Sequence, residues 1–174
     1  MAGSLEYIQE RIARLEDLDA VRSAVIGFET TRDGPPGNAA KLLRYLTPNV
    51  RFYWSLEDIE ISGRDKLCDY LREGMVPRIW CRHMVTNLDV VVKGKKANAA
   101  WYVLSESVSR PNLKRLRKGD QRARQTSPAS GDTIIRSDTK GGKVATLVKG
   151  KDGWRFSDYR IDMTRISVSH VKVQ

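Results

Sequence analysis

Helical patterns come first in this chain and long strand patterns come last, and this order constrains the fold more than any other feature. From Leu5 to Arg32, apolar residues recur at three- and four-residue steps, which is the spacing of one helix face. Asp17 or Asp19 could begin a second helix within this span. The turn sequence Asp33-Gly34-Pro35-Pro36-Gly37 is expected to end it. Two short helices are expected next, around residues 40–46 and from Arg64 to about Glu73.

The strand patterns are gathered in the rest of the chain. Six segments have strand composition or alternation: Val50 to Trp54, Glu57 to Ile61, Arg82 to Lys93, Ala97 to Val108, Lys143 to Lys149, and Trp154 to Ser167. The last four pair as two hairpins across glycine-containing turns. Because helices and strands are segregated, the pattern predicts an α+β fold and excludes a parallel βαβ fold. A bent antiparallel sheet that closes over helices makes a concave interior, where ligands bind.

The size and composition fit one domain spanning residues 1–174. No apolar run approaches the roughly 20 residues that span a bilayer. The start of the chain leads directly into charged residues without an apolar signal core, so a cytoplasmic protein with no membrane partner is expected. Cys68 and Cys81 are interpreted as small buried hydrophobes. With two cysteines, two histidines and no glycine-rich phosphate loop, we expect no metal and no cofactor.

The net charge of +10 is concentrated in one segment. Residues 110–125 hold one acid, Asp120, and seven bases: Arg110, Lys114, Arg115, Arg117, Lys118, Arg122 and Arg124. They belong to a predicted flexible insertion at about 110–142. The favoured interpretation is a solvated loop. Alternatives are a lid that recognises an anionic group and a non-specific nucleic-acid site. The lack of interleaved aromatic residues argues against nucleic acid as a partner.

Four short motifs follow one another in the order and spacing of a known family. They are Leu46-Thr47-Pro48-Asn49-Val50, Gly63-Arg64-Asp65-Lys66-Leu67, Arg82-His83 with Asn87, and Asp152-Gly153-Trp154-Arg155-Phe156. Together they resemble a SnoaL-like protein of the nuclear-transport-factor-2-like superfamily. The resemblance implies a cone-shaped α+β fold, with N-terminal helices packed on a strongly curved antiparallel sheet. It also implies a small-molecule pocket and a homodimer or homotrimer.

His83 and Asp33 are the main catalytic candidates. In dehydratases of this superfamily, a histidine at the position of His83 serves as the acid/base, and imidazole can exchange protons near pH 7. Asp33 resembles the aspartate that orients such a histidine or the substrate. The alternatives are a buried structural histidine and an ordinary turn residue. Related enzymes can carry a tyrosine five residues before this aspartate, where this chain has Phe28, which cannot donate a proton.

Glu106 is a third catalytic candidate, because it lies on the strand paired with that of His83. If its side chain points inward, its carboxylate would raise the pKa of His83; if it points outward, it is a solvated strand charge. The hydrophobic pattern does not decide between the two. Candidate pocket-lining residues are Phe28, Tyr53, Trp54, Trp80, Asn87 and Tyr102, although ordinary core packing is the alternative for most of the aromatic ones.

The preferred function is that of an enzyme without cofactor or metal. It would dehydrate or isomerise a polycyclic or aromatic small molecule by acid/base chemistry at His83. The alternative is a non-catalytic ligand-binding protein, or one similar to the small subunit of aromatic-ring dioxygenases, since this fold hosts both. Nucleic-acid binding through residues 110–124 is a third and weaker hypothesis.

Overall fold

The computed structural model describes residues 2–110 and 133–172. The elements, in chain order, are α1 (Ala2–Thr31), a 3₁₀ helix (Pro36–Tyr45), β1 (Leu46–Trp54), β2 (Ile59–Ser62), α2 (Arg64–Met75), β3 (Arg78–Lys93), β4 (Lys96–Ser109), β5 (Thr133–Gly150) and β6 (Gly153–Lys172). Three helices therefore pack on one curved, open sheet. The predicted α+β class is confirmed. The loop, lid and nucleic-acid interpretations of the basic segment lie on residues 111–132, outside the described residues.

The sheet has six strands in the order β2-β1-β6-β5-β4-β3. Its pairs are antiparallel except one: β1 runs parallel to β6, with Phe52 opposite Tyr159. The sheet is therefore mixed: its curvature agrees with the prediction, and this one pair departs from the antiparallel description. The physical reason is connectivity. The antiparallel hairpins are joined by short turns, whereas β1 and β6 are separated by most of the chain, which is long enough for a parallel crossover.

Helix α1 is one continuous helix of 30 residues, without the restart considered at Asp17 or Asp19. Asp17 instead accepts a hydrogen bond from Trp154 Nε1 at 3.0 Å. Its carboxylate also forms an ion pair with Lys149 Nζ at 2.6 Å. These contacts fasten the middle of α1 to the turn between β5 and β6. Only the C-terminal half of the helix is buried, at positions such as Val21, Val25 and Phe28. None of the helices described is long and apolar enough to cross a membrane.

The core lies between the C-terminal half of α1, the 3₁₀ helix, α2 and the concave face of the sheet. Phe28 contacts Phe156 and Tyr159, with ring centroids 5.0 Å and 5.4 Å apart. Trp101 stacks on Tyr159 with an interplanar angle of 11°. Full burial of one such ring stabilises the fold by about 1.5–3 kcal/mol. This cluster holds the end of α1, which carries Asp33, against the strands that carry the other site residues.

Two strand boundaries differ from the sequence prediction. Strand β5 begins at Thr133, so residues 133–142 belong to the sheet and not to the predicted insertion. Their polar composition suggested a loop, but Ile135 and Thr139 alternate inward and are buried. Strand β3 begins at Arg78, four residues before the predicted start. Both extensions lengthen the wall of the cavity described below.

Candidate functional site

A cavity of about 180 Å³ lies between α2 and the long strands. One wall is aromatic, with Phe52, Trp54 and Tyr70. Another part of the wall carries hydroxyl groups from two adjacent strands: Ser105, Ser107 and Ser109 of β4, and Ser137 and Thr139 of β5. Two of these hydroxyls, on Ser107 and Ser137, lie 3.0 Å apart. The cavity thus combines a stacking surface for a ring with a row of hydrogen-bonding groups.

His83 lies in this cavity beside Asp33. The imidazole Nδ1 is 2.5 Å from Asp33 Oδ1, and the backbone N–H of His83 donates to the same oxygen at 2.9 Å. The His83 side chain is only 6% exposed. A carboxylate only accepts hydrogen bonds, so Nδ1 carries the proton and Nε2 keeps its lone pair. Among residues 2–110 and 133–172 no hydrogen-bond partner of Nε2 is found, so the arrangement is a dyad that leaves the lone pair of one ring nitrogen available.

The end of α1 places Asp33 at this position. Helix α1 stops at Thr31, and the backbone N–H of Asp33 donates to Thr30 at 3.2 Å. Arg78 Nη1 donates to the carbonyl oxygen of Arg32 at 3.0 Å, which ties the same turn to the start of β3. The Asp33 carboxylate thus receives two N–H donors from His83, so Asp33 contacts the histidine in addition to lying in a turn.

A cluster of buried charges lies next to the dyad. Glu29 accepts hydrogen bonds from Lys143 Nζ at 2.6 Å, from Arg32 Nη1 at 2.8 Å and from the Tyr159 hydroxyl at 3.1 Å. The hydroxyl in turn accepts from Arg32 at 3.2 Å. All four residues are buried. When Lys143 is protonated, the cluster has two positive charges and one negative charge.

This environment keeps His83 neutral. Burial, and after it the positive charge of Arg32, lower the pKa of His83 from 6.5 to about 4, although the hydrogen bond to Asp33 acts in the opposite direction. Between pH 6.5 and 4, the unfolded chain therefore binds a proton at His83 that the folded chain does not. The contribution of His83 to stability consequently falls as the pH drops through this window. At pH 7 the imidazole is a free base.

Burial and ion pairing act in opposite directions on Lys143 and Glu29. Burial lowers the pKa of Lys143 and the Glu29 carboxylate opposes that shift, with the net result that the pKa falls from 10.5 to about 7. Burial alone would raise the pKa of Glu29, but Lys143 and Arg32 hold it well below its usual range. Glu29 is therefore ionised at neutral pH.

Glu106 is not part of the dyad. In the ladder between β3 and β4, His83 lies opposite Ser105, whereas Glu106 lies opposite Arg82. Ser105, Ser107 and Ser109 line the cavity, and Glu106 shares the other face with the exposed residues Tyr102 and Leu104. The catalytic role considered for Glu106 is thus contradicted by strand parity. The Glu106 side chain points away from the cavity, which is the second of the two orientations considered.

The predicted pocket-lining residues divide in a similar way. Trp54 lines the cavity. Phe28 is completely buried in the core instead. Trp80 and Tyr102 are 41% and 61% exposed and are not in the cavity wall. Of these four aromatic residues, only Trp54 lies where the pocket-lining prediction placed it, because the sequence pattern could not assign the face of each strand.

Tyr53 and Asn87 are also outside the cavity. Tyr53 alternates with the cavity residues Phe52 and Trp54, so it points to the other face, where Arg160 lies 5.0 Å above its ring. Asn87 has a φ angle of 51° at the irregularity between Thr86 and Asp89 in the β3–β4 ladder. Asparagine tolerates this left-handed conformation, so its position in the motif reflects a β-bulge.

Asp33, Cys81 and His83 place three potential metal-ligand atoms within 4.8 Å of one another. Cys81 Sγ is 3.8 Å from His83 Nδ1, a proximity that the sequence analysis did not expect. Burial raises the pKa of the Cys81 thiol, so the protonated form predominates at neutral pH. His83 Nδ1 is already engaged by Asp33, and Arg32 and Lys143 add positive charge nearby. This donor set fits a hydrogen-bonded dyad better than a cation site.

Comparisons with known proteins agree with this fold. A family model described as a SnoaL-like domain matches residues 13–160, and the chain therefore belongs to the SnoaL-like domain family. The solved structures that resemble it include an NTF2-like protein with a cystatin-like fold from Novosphingobium aromaticivorans. That structure has a TM-score of 0.67 and 15% identity, with 92% of this chain and 90% of the other covered. The predicted superfamily and fold are thereby confirmed.

Two further similar structures carry names that refer to elimination reactions. One is a candidate scytalone dehydratase from Novosphingobium aromaticivorans DSM 12444, with a TM-score of 0.69, 16% identity and 92% of each chain covered. The other is a type 2 hexachlorocyclohexane dehydrochlorinase, with a TM-score of 0.68, 13% identity, and 91% of this chain and 93% of the other covered. At such identities the likeness concerns the fold. A comparison with curated protein sequences finds no match.

Proposed function

We propose that this protein is an enzyme that removes a proton from carbon and thereby dehydrates or isomerises a small aromatic molecule. The observation that carries the proposal is the dyad. His83 is buried, neutral and hydrogen-bonded through Nδ1 to Asp33, and this leaves Nε2 as a base. The aromatic wall of the cavity suits a ring-bearing substrate. The family and the names of similar structures support an enzyme of elimination type.

The proposed reaction begins with transfer of a proton from a substrate carbon to His83 Nε2. The electron pair of that C–H bond forms a carbon–carbon double bond, and the bond from the neighbouring carbon to oxygen breaks. The imidazolium then returns its proton to the departing hydroxide, which leaves as water. Asp33 stabilises the transient positive charge on the imidazole. In an isomerisation, the same proton would return to a different carbon.

The function is tested with an activated carbon acid and with true elimination substrates. We expect the protein to accelerate ring opening of nitrobenzisoxazole, in which a base removes a proton from carbon. We also expect the protein to remove water from some members of a panel of aromatic β-hydroxy ketones. The loss of water is monitored by mass spectrometry of reactions run in D₂O. His83→Ala should lose both reactions. Glu106→Gln is the matched control from the outer face and should keep them. Equal rates for the His83→Ala and unmodified proteins would contradict the proposal.

The dyad supports this enzyme over the non-catalytic alternative, because a purely structural histidine has no need for a free Nε2 in a ligand cavity. The expected homodimer or homotrimer, the cytoplasmic location and the independence from cofactors stay predictions.

A further inference from the structure

One arginine of the buried charge cluster also borders the cavity. Arg32 lines the cavity together with His83, and its side chain is 9% exposed. The other three members of the cluster are outside the described part of the cavity wall: Glu29, Lys143 and Tyr159. The cluster therefore presents the arginine to the cavity and keeps its remaining groups behind it.

The guanidinium of Arg32 keeps part of its hydrogen-bonding capacity. Nη1 donates to Glu29 Oε2 at 2.8 Å and to the Tyr159 hydroxyl at 3.2 Å. Within residues 2–110 and 133–172, Nε and Nη2 of Arg32 have no hydrogen-bond partner, and neither atom is among the buried side-chain atoms that lack one. Both nitrogens therefore retain accessible surface, and their N–H groups are available to a ligand in the cavity.

The cluster holds this guanidinium in place. Glu29 binds Arg32 through Oε2 at 2.8 Å and Lys143 through Oε1 at 2.6 Å, so one carboxylate serves two cationic side chains. The charge of Arg32 is still effective at the dyad, because it lowers the pKa of His83. A fixed donor of this kind stabilises negative charge that develops in a water-poor cavity, since it needs no rearrangement during the reaction.

A base that takes a proton from carbon needs a place for the electron pair left behind. Arg32 directly precedes Asp33, which accepts both N–H groups of His83, so one turn connects the base to a positively charged donor at the same cavity. A carbonyl next to the reacting carbon takes up the electron pair on its oxygen. Arg32 supplies the hydrogen-bond donors and the charge that such an oxygen requires.

We propose that Arg32 is a catalytic residue that donates hydrogen bonds to the carbonyl oxygen of a substrate whose reacting C–H bond lies next to that carbonyl. The inference rests on the proposed function and narrows its substrate to β-hydroxy carbonyl compounds. His83 Nε2 takes the proton, the electron pair of the C–H bond forms a carbon–carbon double bond, and the π pair of the carbonyl moves to oxygen. Arg32 stabilises the resulting enolate.

The second half of the reaction returns the electrons. The carbonyl forms again from the oxygen lone pair, and the enolate double bond shifts to the β carbon. The bond from the β carbon to its hydroxyl oxygen breaks as this shift occurs. The imidazolium of His83 gives its proton to the departing hydroxide, which leaves as water. Arg32 exchanges no proton in either half and acts by charge and hydrogen bonding.

Binding of an enolate mimic tests this inference without turnover. The anion of 4-nitrophenol carries negative charge on an oxygen attached to a ring, and it absorbs visible light whereas the neutral phenol does not. Absorbance titration with the full chain in excess gives the pKa of the bound phenol. We expect this pKa to lie about one unit or more below that of free 4-nitrophenol, which is a preference of about tenfold for the anion. Arg32→Met should abolish the preference.

Lys143→Met is the matched control for Arg32→Met. It removes a positive charge from the same cluster, but Lys143 is not in the described cavity wall, so most of the preference for the anion should remain. Arg32→Met leaves Glu29 paired with Lys143 at 2.6 Å, so we expect it to fold, and its melting temperature checks this. If it does not fold, Arg32→Gln replaces it, because glutamine keeps an N–H donor for Glu29.

Turnover provides a second readout. Arg32→Met should lower the turnover number on a β-hydroxy ketone by about 10²–10³-fold, which is the usual effect of removing one donor to an oxyanion. The effect on KM should be smaller, because the negative charge on oxygen develops only after the substrate is bound. Lys143→Met should lose less turnover than Arg32→Met.

Three results of the binding test would overturn the inference. They are an unchanged pKa of 4-nitrophenol with the protein at millimolar concentration, a lowered pKa that survives the substitution of Arg32, and an equal loss of preference in Lys143→Met. If the anion is preferred through Arg32 but neither nitrobenzisoxazole nor the β-hydroxy ketones react, the anion site stands and the proposed function fails. If His83 is required for opening of nitrobenzisoxazole and the anion is not preferred, only the role of Arg32 fails.

Discussion

Replacing His83 with alanine is expected to lower the turnover number of the protein by about 10²–10⁴-fold, which is the usual contribution of a positioned general base. The substitution removes the imidazole, which lines the cavity and whose Nε2 is the proposed base. The fold should persist, because the backbone N–H of His83, which also donates to Asp33, is retained. The turnover number is measured with nitrobenzisoxazole or with the best elimination substrate, and the melting temperature is measured in parallel.

Asp33→Asn is the more informative companion to this substitution. Both N–H groups of His83 point at the same carboxylate oxygen, so an asparagine can keep an accepting oxygen there and the tautomer of His83 is retained. The substitution instead removes the negative charge that stabilises the transient imidazolium. We expect a loss of about a hundredfold or more in turnover, with a small effect on stability. Full activity in Asp33→Asn would show that the negative charge of Asp33 does not contribute to the reaction.

The second large effect is expected for the stability of the buried charge cluster. Glu29→Gln leaves Lys143 and Arg32 buried without their shared carboxylate. Removal of one partner from a buried ion pair costs about 3–5 kcal/mol. We expect a loss of this size in the free energy of unfolding, measured with urea at pH 7. The melting temperature should fall accordingly.

The controls for this prediction use the fact that two cationic residues share one carboxylate in the cluster. Lys143→Met removes one of the two positive charges and leaves Glu29 paired with Arg32 at 2.8 Å, so its cost should be clearly smaller. Asp69→Asn removes an exposed pair with Arg72 and should change stability by less than about 1 kcal/mol. A larger cost for Lys143→Met than for Glu29→Gln would show that Glu29 does not neutralise both cations.

Much of the fold could be predicted from the sequence, because its signals are local. The helical spacing in α1 and α2, and the alternation around the turns of both hairpins, depend on neighbouring residues. His83 and Asp33 also lie together, as the resemblance implied. The parallel pairing of β1 with β6 could not be predicted in this way, since no turn joins the two strands.

The parts of the site that sequence reasoning missed depend on strand parity and on long-range contacts. In the second half of β4, the inward positions carry serines, so hydrophobic alternation gives no signal for the face of Glu106. Glu29 and Lys143 meet although they are 114 residues apart, and charged residues are normally assigned to the surface. One signal was available: Glu29 lies four residues after Val25, on the apolar face of α1. A charge in such a position indicates a buried partner.

The central claim is that His83 is a neutral base at pH 7 with its proton on Nδ1. Nitrogen-15 NMR of the histidine-labelled full chain measures this directly, with His83→Ala to assign the signal. The account predicts an Nδ1–H tautomer at pH 7 and a pKa well below 6.5, near 4. An imidazolium at pH 7, or a neutral ring protonated on Nε2, would contradict it.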